Sequence, residues 1–260
     1  MKPRPRSFRL LIDLTRREFK MRYLGSLLGS YWNLIHPLVM ILIYTLVFSQ
    51  VMKARLGADS GPFSYSLYLC SGLIAWNFFS EVINRCTVTL LDNSAFMKKL
   101  SFSPFILFCA TLASATINFF IAFSIFLVVL FLVSPVSIGL FLSYFAVMIL
   151  MAVFCLGLGV ALGCLNVFMR DIQQMVSVVF QLWFWFTPIV YLADALPEIA
   201  RKMLYFNPAW AFIEPLHILF YFKRYPDPFF WALMLGWAVI SSALGWFVYN
   251  RSISSVRDHI

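Results

Sequence analysis

The chain has 260 residues, of which 62% are hydrophobic and 12% are charged. Soluble domains carry about 25% charged residues, so this composition is that of an integral membrane protein and leaves no room for a soluble catalytic domain. The net charge of +9 does not point to nucleic acid, because the basic residues cluster at the ends of apolar runs, where anionic lipid and topology control account for them.

In chain order, the first element is a basic amphipathic helix over Phe8–Tyr23. Arg9, Asp13, Arg16 and Lys20 recur on one side, and Phe8, Leu11, Ile12, Thr15 and Phe19 form an apolar stripe opposite. Asp13 has Arg16 and Arg17 within reach, and Glu18 has Arg22. Such a helix lies in the membrane interface. Six candidate spans follow, each near the ~20 residues a bilayer requires: Tyr31–Met52, Ser64–Ile83, Pro104–Val133, Ile138–Leu165, Met175–Leu192 and Phe229–Tyr249. The fold class is therefore all-α integral membrane, one transmembrane domain over residues 1–260.

The sizeable loop Thr87–Ser103 separates the second and third spans. Asp92, Asn93 or Ser94 is positioned to cap a short helix over Ala95–Leu100, with Lys98 and Lys99 favourable at its C-terminal end. Residues 100–193 hold only two formal charges, Arg170 and Asp171. A charge at the centre of a membrane helix costs roughly 2.5–3.5 kcal/mol, so this pair marks either a turn between spans four and five or a buried ion pair. Gly157, Gly159 and Gly163 on the fourth span permit close helix packing.

Topology follows from Lys and Arg. An even number of spans with the N-terminus in the cytoplasm places fourteen of the 20 basic residues inside, as the positive-inside rule requires. Both termini are then cytoplasmic, and Arg170-Asp171 occupies a tight cytoplasmic turn. Its expected role is a cap or hinge for span five.

Aromatics crowd several span ends: Tyr31-Trp32, Trp76 and the run Trp183–Phe186, followed by Thr187-Pro188 and Tyr191. They suit an interfacial belt or a surface on which pyranose C–H faces pack. The stretch Ala209–Phe222, with Glu214, Pro215 and His217, is too short and too polar to span and suits a re-entrant or interfacial segment. The five cysteines, Cys70, Cys86, Cys109, Cys155 and Cys164, fall in or beside apolar runs and lack metal-ligand spacing. His36, His217 and His259 are scattered, so no metal site is expected. No GxxxxGK[ST] phosphate loop occurs, and no catalytic constellation can be assembled, so an integral-membrane enzyme is not expected.

Three blocks carry a resemblance to a known family. They are Glu18–Pro37 (EFKMRYLGSLLGSYWNLIHP), Asn166–Tyr191 (NVFMRDI followed by WFTPIVY), and Tyr205–Pro208 (YFNP). In this order and spacing the chain resembles the membrane subunit of type-2 ABC exporters for lipid-linked polysaccharide, in the O-antigen and teichoic-acid branch more than the capsule branch. The resemblance covers nearly the whole chain. It implies a homodimer in the inner membrane with two copies of a separate ATPase subunit. ATP and Mg would bind on that partner, with no cofactor on this chain. The implied substrate is a polymer on undecaprenyl diphosphate. The resemblance divides the chain into an interface helix (1–30), spans one to five (31–192), an extracytoplasmic gate region (193–228), span six (229–250) and a cytoplasmic tail (251–260). Asp92, Asn93, Phe96, Met97, Lys98 and Lys99 match the coupling helix that docks on the ATPase. Arg9, Arg16, Lys20 and Arg22 become candidate contacts for the diphosphate or for membrane lipid. Tyr31, Trp32, Trp76, Trp183, Trp185 and Tyr191 become candidate glycan-channel aromatics. Export of a small amphiphile, drug or lipid by a related permease is the alternative.

Overall fold

The computed structural model describes residues 5–21, 64–99, 102–133 and 137–259, with isolated positions between 31 and 43. Every regular element among them is helical: α1 (Pro5–Met21), α2 (Ser64–Asp92), α3 (Ser94–Lys99), α4 (Phe105–Val133), α5 (Ile138–Phe168), α6 (Asp171–Phe186), α7 (Glu198–Met203), α8 (Pro208–Phe220) and α9 (Pro228–His259), with 3-10 turns at Ala193–Ala195 and Leu204–Phe206. The expected first span lies outside the described residues apart from those isolated positions, and so does Arg22.

Three of these helices are long and apolar enough to cross a membrane: Phe105–Val128 in α4, Ile138–Phe168 (all of α5) and Pro228–Val256 in α9. They correspond to the third, fourth and sixth expected spans. The second expected span lies inside α2, which is equally long but carries Asn77, Glu81, Asn84 and Arg85. The reason is its position. α2 packs on α4, α5, α6 and α8, and nearly all of Leu67–Ile83 is buried in protein, so its surface need not match lipid.

The helix over the expected fifth span, Met175–Leu192, ends earlier than expected. α6 starts at Asp171 and stops at Phe186, 16 residues in all. Thr187 is extended (φ −109°, ψ 127°), because the residue before a proline is pushed out of the helical region, here by Pro188. α9 continues unbroken through the expected sixth span to His259, since residues 250–259 contain neither Gly nor Pro.

Among the described helices, α5 packs most closely against α9. A Cβ on Gly157 would lie 2.6 Å from the Ser241 backbone, and one on Gly245 would strike the Gly157 carbonyl. Ser241 Oγ also donates to the Phe154 carbonyl (2.6 Å). Gly159 and Gly163 serve other neighbours, Cys86 on α2 and Phe108 on α4. Gly157→Ala should therefore destabilise the protein by about 1–3 kcal/mol through overpacking. Gly236→Ala, with nothing within 4 Å, should stabilise it by up to about 1 kcal/mol through helix propensity. Thermal unfolding of the two variants in detergent checks the contrast. Aromatic rings fill the centre: Tyr144 stacks on Phe123 at 4.6 Å and meets Phe220 at 5.0 Å, joining α4, α5 and α8.

Candidate functional site

Two polar assemblies stand out in this apolar bundle, one at each end of α2. At the C-terminal end of α2, α1 lies against α4. Its inward face is centred on Leu14 and Thr15, while Phe8 and Ile12 of the apolar stripe are exposed, as a helix with one face toward a membrane interface allows. Arg9, Asp13, Arg16 and Lys20 are exposed on the far side, as their spacing requires.

Arg17 and Glu18 both reach into the bundle. Arg85 Nη2 donates to Glu18 Oε1 at 2.7 Å, and Thr111 Oγ1 donates to the same oxygen at 3.0 Å. Thr111 in turn shares a 2.6 Å hydrogen bond with Thr89. Arg17 Nη1 donates to Asn93 Oδ1 at 3.1 Å, and its guanidinium lies 4.0 Å above the Phe96 ring. One turn of α1 is thereby tied to α2, α4 and the short α3 helix.

α3 spans Ser94–Lys99, one residue earlier than expected, and a single residue, Asn93, separates it from α2. The Asn93 carbonyl accepts from Phe96 N and Met97 N, but its side chain does not cap. Nδ2 donates to the Thr89 carbonyl (2.9 Å) while Oδ1 takes the Arg17 bond. Asp92, Ala95 and Lys98 are exposed, and Phe96 and Met97 are partly covered. The side chain of Lys99 lies outside the described residues.

The Arg170-Asp171 pair lies at the same end, in the turn between α5 and α6. Both residues are exposed, and Asp171 opens α6, where a carboxylate is favoured by the helix dipole. The residue that pins this turn is Asn166, which is fully buried. Its Nδ2 donates to the Thr87 carbonyl at 3.0 Å, and its Oδ1 accepts from Gln173 N at 3.1 Å. Asn166→Ala should cost about 1–3 kcal/mol by leaving buried groups unsatisfied. Arg170→Ala should stay within about 0.5 kcal/mol, as surface changes do. Denaturant or thermal unfolding distinguishes the two.

At the N-terminal end of α2, the WFTPIVY and YFNP blocks meet on one side chain. Asn207 is the N-cap of α8, and its Oδ1 accepts from Ala209 N and Trp210 N. The same oxygen accepts from Trp183 Nε1 at 2.7 Å. Its Nδ2 donates to Thr187 Oγ1 at 3.1 Å and to the Phe186 carbonyl at 3.3 Å. Nearby, Tyr68 Oη donates to the Tyr191 carbonyl at 2.9 Å. The Tyr68 ring stacks on His217 at 3.8 Å. His217 is fully buried and sits 3.8 Å from Glu214.

The aromatics divide by placement. Trp76 is buried among Phe79, Phe180, Trp183 and Phe184. Trp183 is partly covered, and Tyr191 is partly covered with its hydroxyl on the Trp185 carbonyl. Trp185 is 67% exposed, Tyr31 70% and Trp32 47%. α6 buries only Val176 and Phe180. Along its open side run Gln174, Val178, Gln181 and Trp185, all exposed. Among the described residues no cluster of His, Cys, Asp and Glu could hold a metal ion. All five cysteines are free, and four of them are buried.

Arg85, Thr111 and Asn166, which organise the first assembly with Glu18, are not singled out by the sequence. Thr111 and Asn166 are polar positions in otherwise apolar stretches, but which residues meet depends on helix pairing.

The family model described as ABC-2 type transporter matches residues 9–221. A Myxococcus xanthus protein named O-antigen export system permease protein RfbA is 29% identical over 239 residues, covering 91% of this chain and 88% of that protein. Two Klebsiella pneumoniae proteins of the same name are 27% and 26% identical over 215 residues, covering 82% of this chain and 80% of each.

Proposed function

Because the chain belongs to the ABC-2 type transporter family, we propose that it is the permease subunit of an ATP-driven exporter that moves a polysaccharide linked to undecaprenyl diphosphate across the inner membrane. The observation that carries this reading is similarity to O-antigen export permeases over 82–91% of the chain. In this reading two copies pair around the path of the polymer, with six spans each and both termini in the cytoplasm. ATP and Mg bind two copies of a separate ATPase subunit.

The geometry supports that division of labour. α3 is a short helix held at the end of the bundle by Arg17, with Lys98 free to face the ATPase. Exposed Arg9, Arg16 and Lys20 form a cationic line suited to diphosphate oxygens or anionic lipid. The open side of α6 is uncharged from Gln174 to Trp185 and alternates amide and aromatic or aliphatic groups. Amides hydrogen-bond sugar hydroxyls, and an indole face accepts a pyranose C–H face. Such a wall holds a glycan without fixing its register, which suits a polymer that slides.

Two measurements test the reading. Co-expression with the ATPase subunit should give a stable complex of two permeases and two ATPases, and the complex should move a long lipid-linked glycan in preference to a drug-sized amphiphile. Preference for the amphiphile would overturn the substrate assignment. Lys98→Glu combined with Lys99→Glu should lower ATPase co-purification several-fold by reversing charge at the docking face. Full retention of the complex would remove α3 from the coupling interface.

A further inference from the structure

Beside the Glu18–Arg85 pair, α1, α2 and α4 enclose a cavity of about 400 Å³, inside the roughly 300–1,000 Å³ range of small-molecule sites. Its lining combines the apolar Leu14, Val88 and Leu107 with the charged Arg17, Glu18, Arg85 and Asp92. Two cations and two anions leave the cavity formally neutral but strongly polar.

The four charges are not equally engaged. Glu18 Oε1 is taken by Arg85 and Thr111. Arg85 Nη1 is buried without a hydrogen bond, 3.9 Å from Glu81 Oε1. Arg17 uses one nitrogen on Asn93 and has further N–H donors in its planar fork. Asp92 forms no hydrogen bond or ion pair with another described residue. Partial burial raises its pKa, and the charge of Arg85 pulls the other way. Met21 and Asp92 are exposed at the edge of the cavity.

We propose that this cavity binds the phosphoethanolamine headgroup of a membrane phospholipid, with the phosphate between the Arg17 and Arg85 guanidiniums and the ammonium against Asp92. A simple anion meets Glu18 and Asp92, and a simple cation meets two arginines. A zwitterion of this polarity satisfies both sides. Phosphate suits guanidinium forks, and a primary ammonium can donate hydrogen bonds to Asp92 where a trimethylated one cannot. The apolar lining residues match the first acyl methylenes of a lipid, which a soluble headgroup lacks. The site does not depend on which substrate the protein exports.

The test uses the purified full chain in detergent, titrated with phosphatidylethanolamine, phosphatidylcholine and phosphatidylglycerol of one acyl composition, with retained lipid counted by native mass spectrometry. Phosphatidylethanolamine should be retained about tenfold over the other two, the discrimination expected of one charge-assisted hydrogen bond. Asp92→Asn, a conservative change at an exposed position, should reduce phosphatidylethanolamine to the phosphatidylcholine level and leave the other two lipids unchanged. Soluble glycerophosphoethanolamine at equal concentration should not compete. Equal retention of the amine and choline lipids, preference for phosphatidylglycerol, or an Asp92→Asn variant that keeps the amine preference would each overturn the proposal. Effective competition by glycerophosphoethanolamine would overturn its assignment to a lipid.

Discussion

Glu18→Ala is expected to lower stability by about 2 kcal/mol, because it strands the Arg85 guanidinium and the Thr111 hydroxyl together. The side chains of Arg85 and Glu18 are 25% and 19% exposed. That places the pair between exposed pairs, worth about 0–1 kcal/mol, and buried ones, whose disruption costs about 3–5 kcal/mol. The loss should lower the melting temperature in detergent by about 4–8 °C, using the scale for domains of 150–250 residues. The change should also be local. Amide exchange should rise throughout α1, because Glu18 and Arg17 supply its polar ties to the bundle. Glu18→Gln combined with Arg85→Gln keeps a neutral hydrogen bond and should recover much of the loss. If α1 amides stay protected in Glu18→Ala, apolar packing through Leu14 alone holds the helix and the polar ties are secondary.

Asn207→Ala should be the most damaging single change at the other end of the molecule. Loss of the N-cap costs about 0.5–2 kcal/mol. Stranding the Trp183 indole N–H adds about 1–3 kcal/mol. A total near 3 kcal/mol is therefore expected, and the hydrogen bonds to Thr187 Oγ1 and the Phe186 carbonyl disappear with the amide. Asn207→Asp separates the two functions. The carboxylate still caps α8 and accepts from Trp183, but it cannot donate to Thr187 Oγ1 or the Phe186 carbonyl. Its stability should lie between wild type and Asn207→Ala. Thermal unfolding ranks the three, and tryptophan fluorescence reports whether Trp183 has moved. An aspartate variant as unstable as the alanine variant would shift the weight from the cap to the link with α6.

The sequence carried the helical class, the three most apolar membrane helices and the short helix after Asp92, because each depends on local composition and spacing. It also carried the importance of the YFNP and WFTPIVY blocks, though not the fact that Asn207 joins them. The end of α6 was misread because apolar residues continue to Leu192, while the backbone answers to Pro188. Which side of α1 meets the bundle was not legible in its amphipathic spacing, because Arg85 and Thr111 on other helices draw Glu18 inward.

Composition alone determined that this chain belongs in a membrane, since 62% hydrophobic and 12% charged residues cannot cover a soluble surface. The charge pattern narrowed Arg170-Asp171 to a turn or a buried ion pair, and the structure, in which both residues are exposed between α5 and α6, decided for the turn. Tertiary structure decided which polar residues act together. Glu18 and Arg85 lie 67 residues apart, and Asn166 reaches Thr87 across 79. Pairings of that range leave no periodic trace in sequence, because they depend on how helices cross and on the few glycines that let them approach.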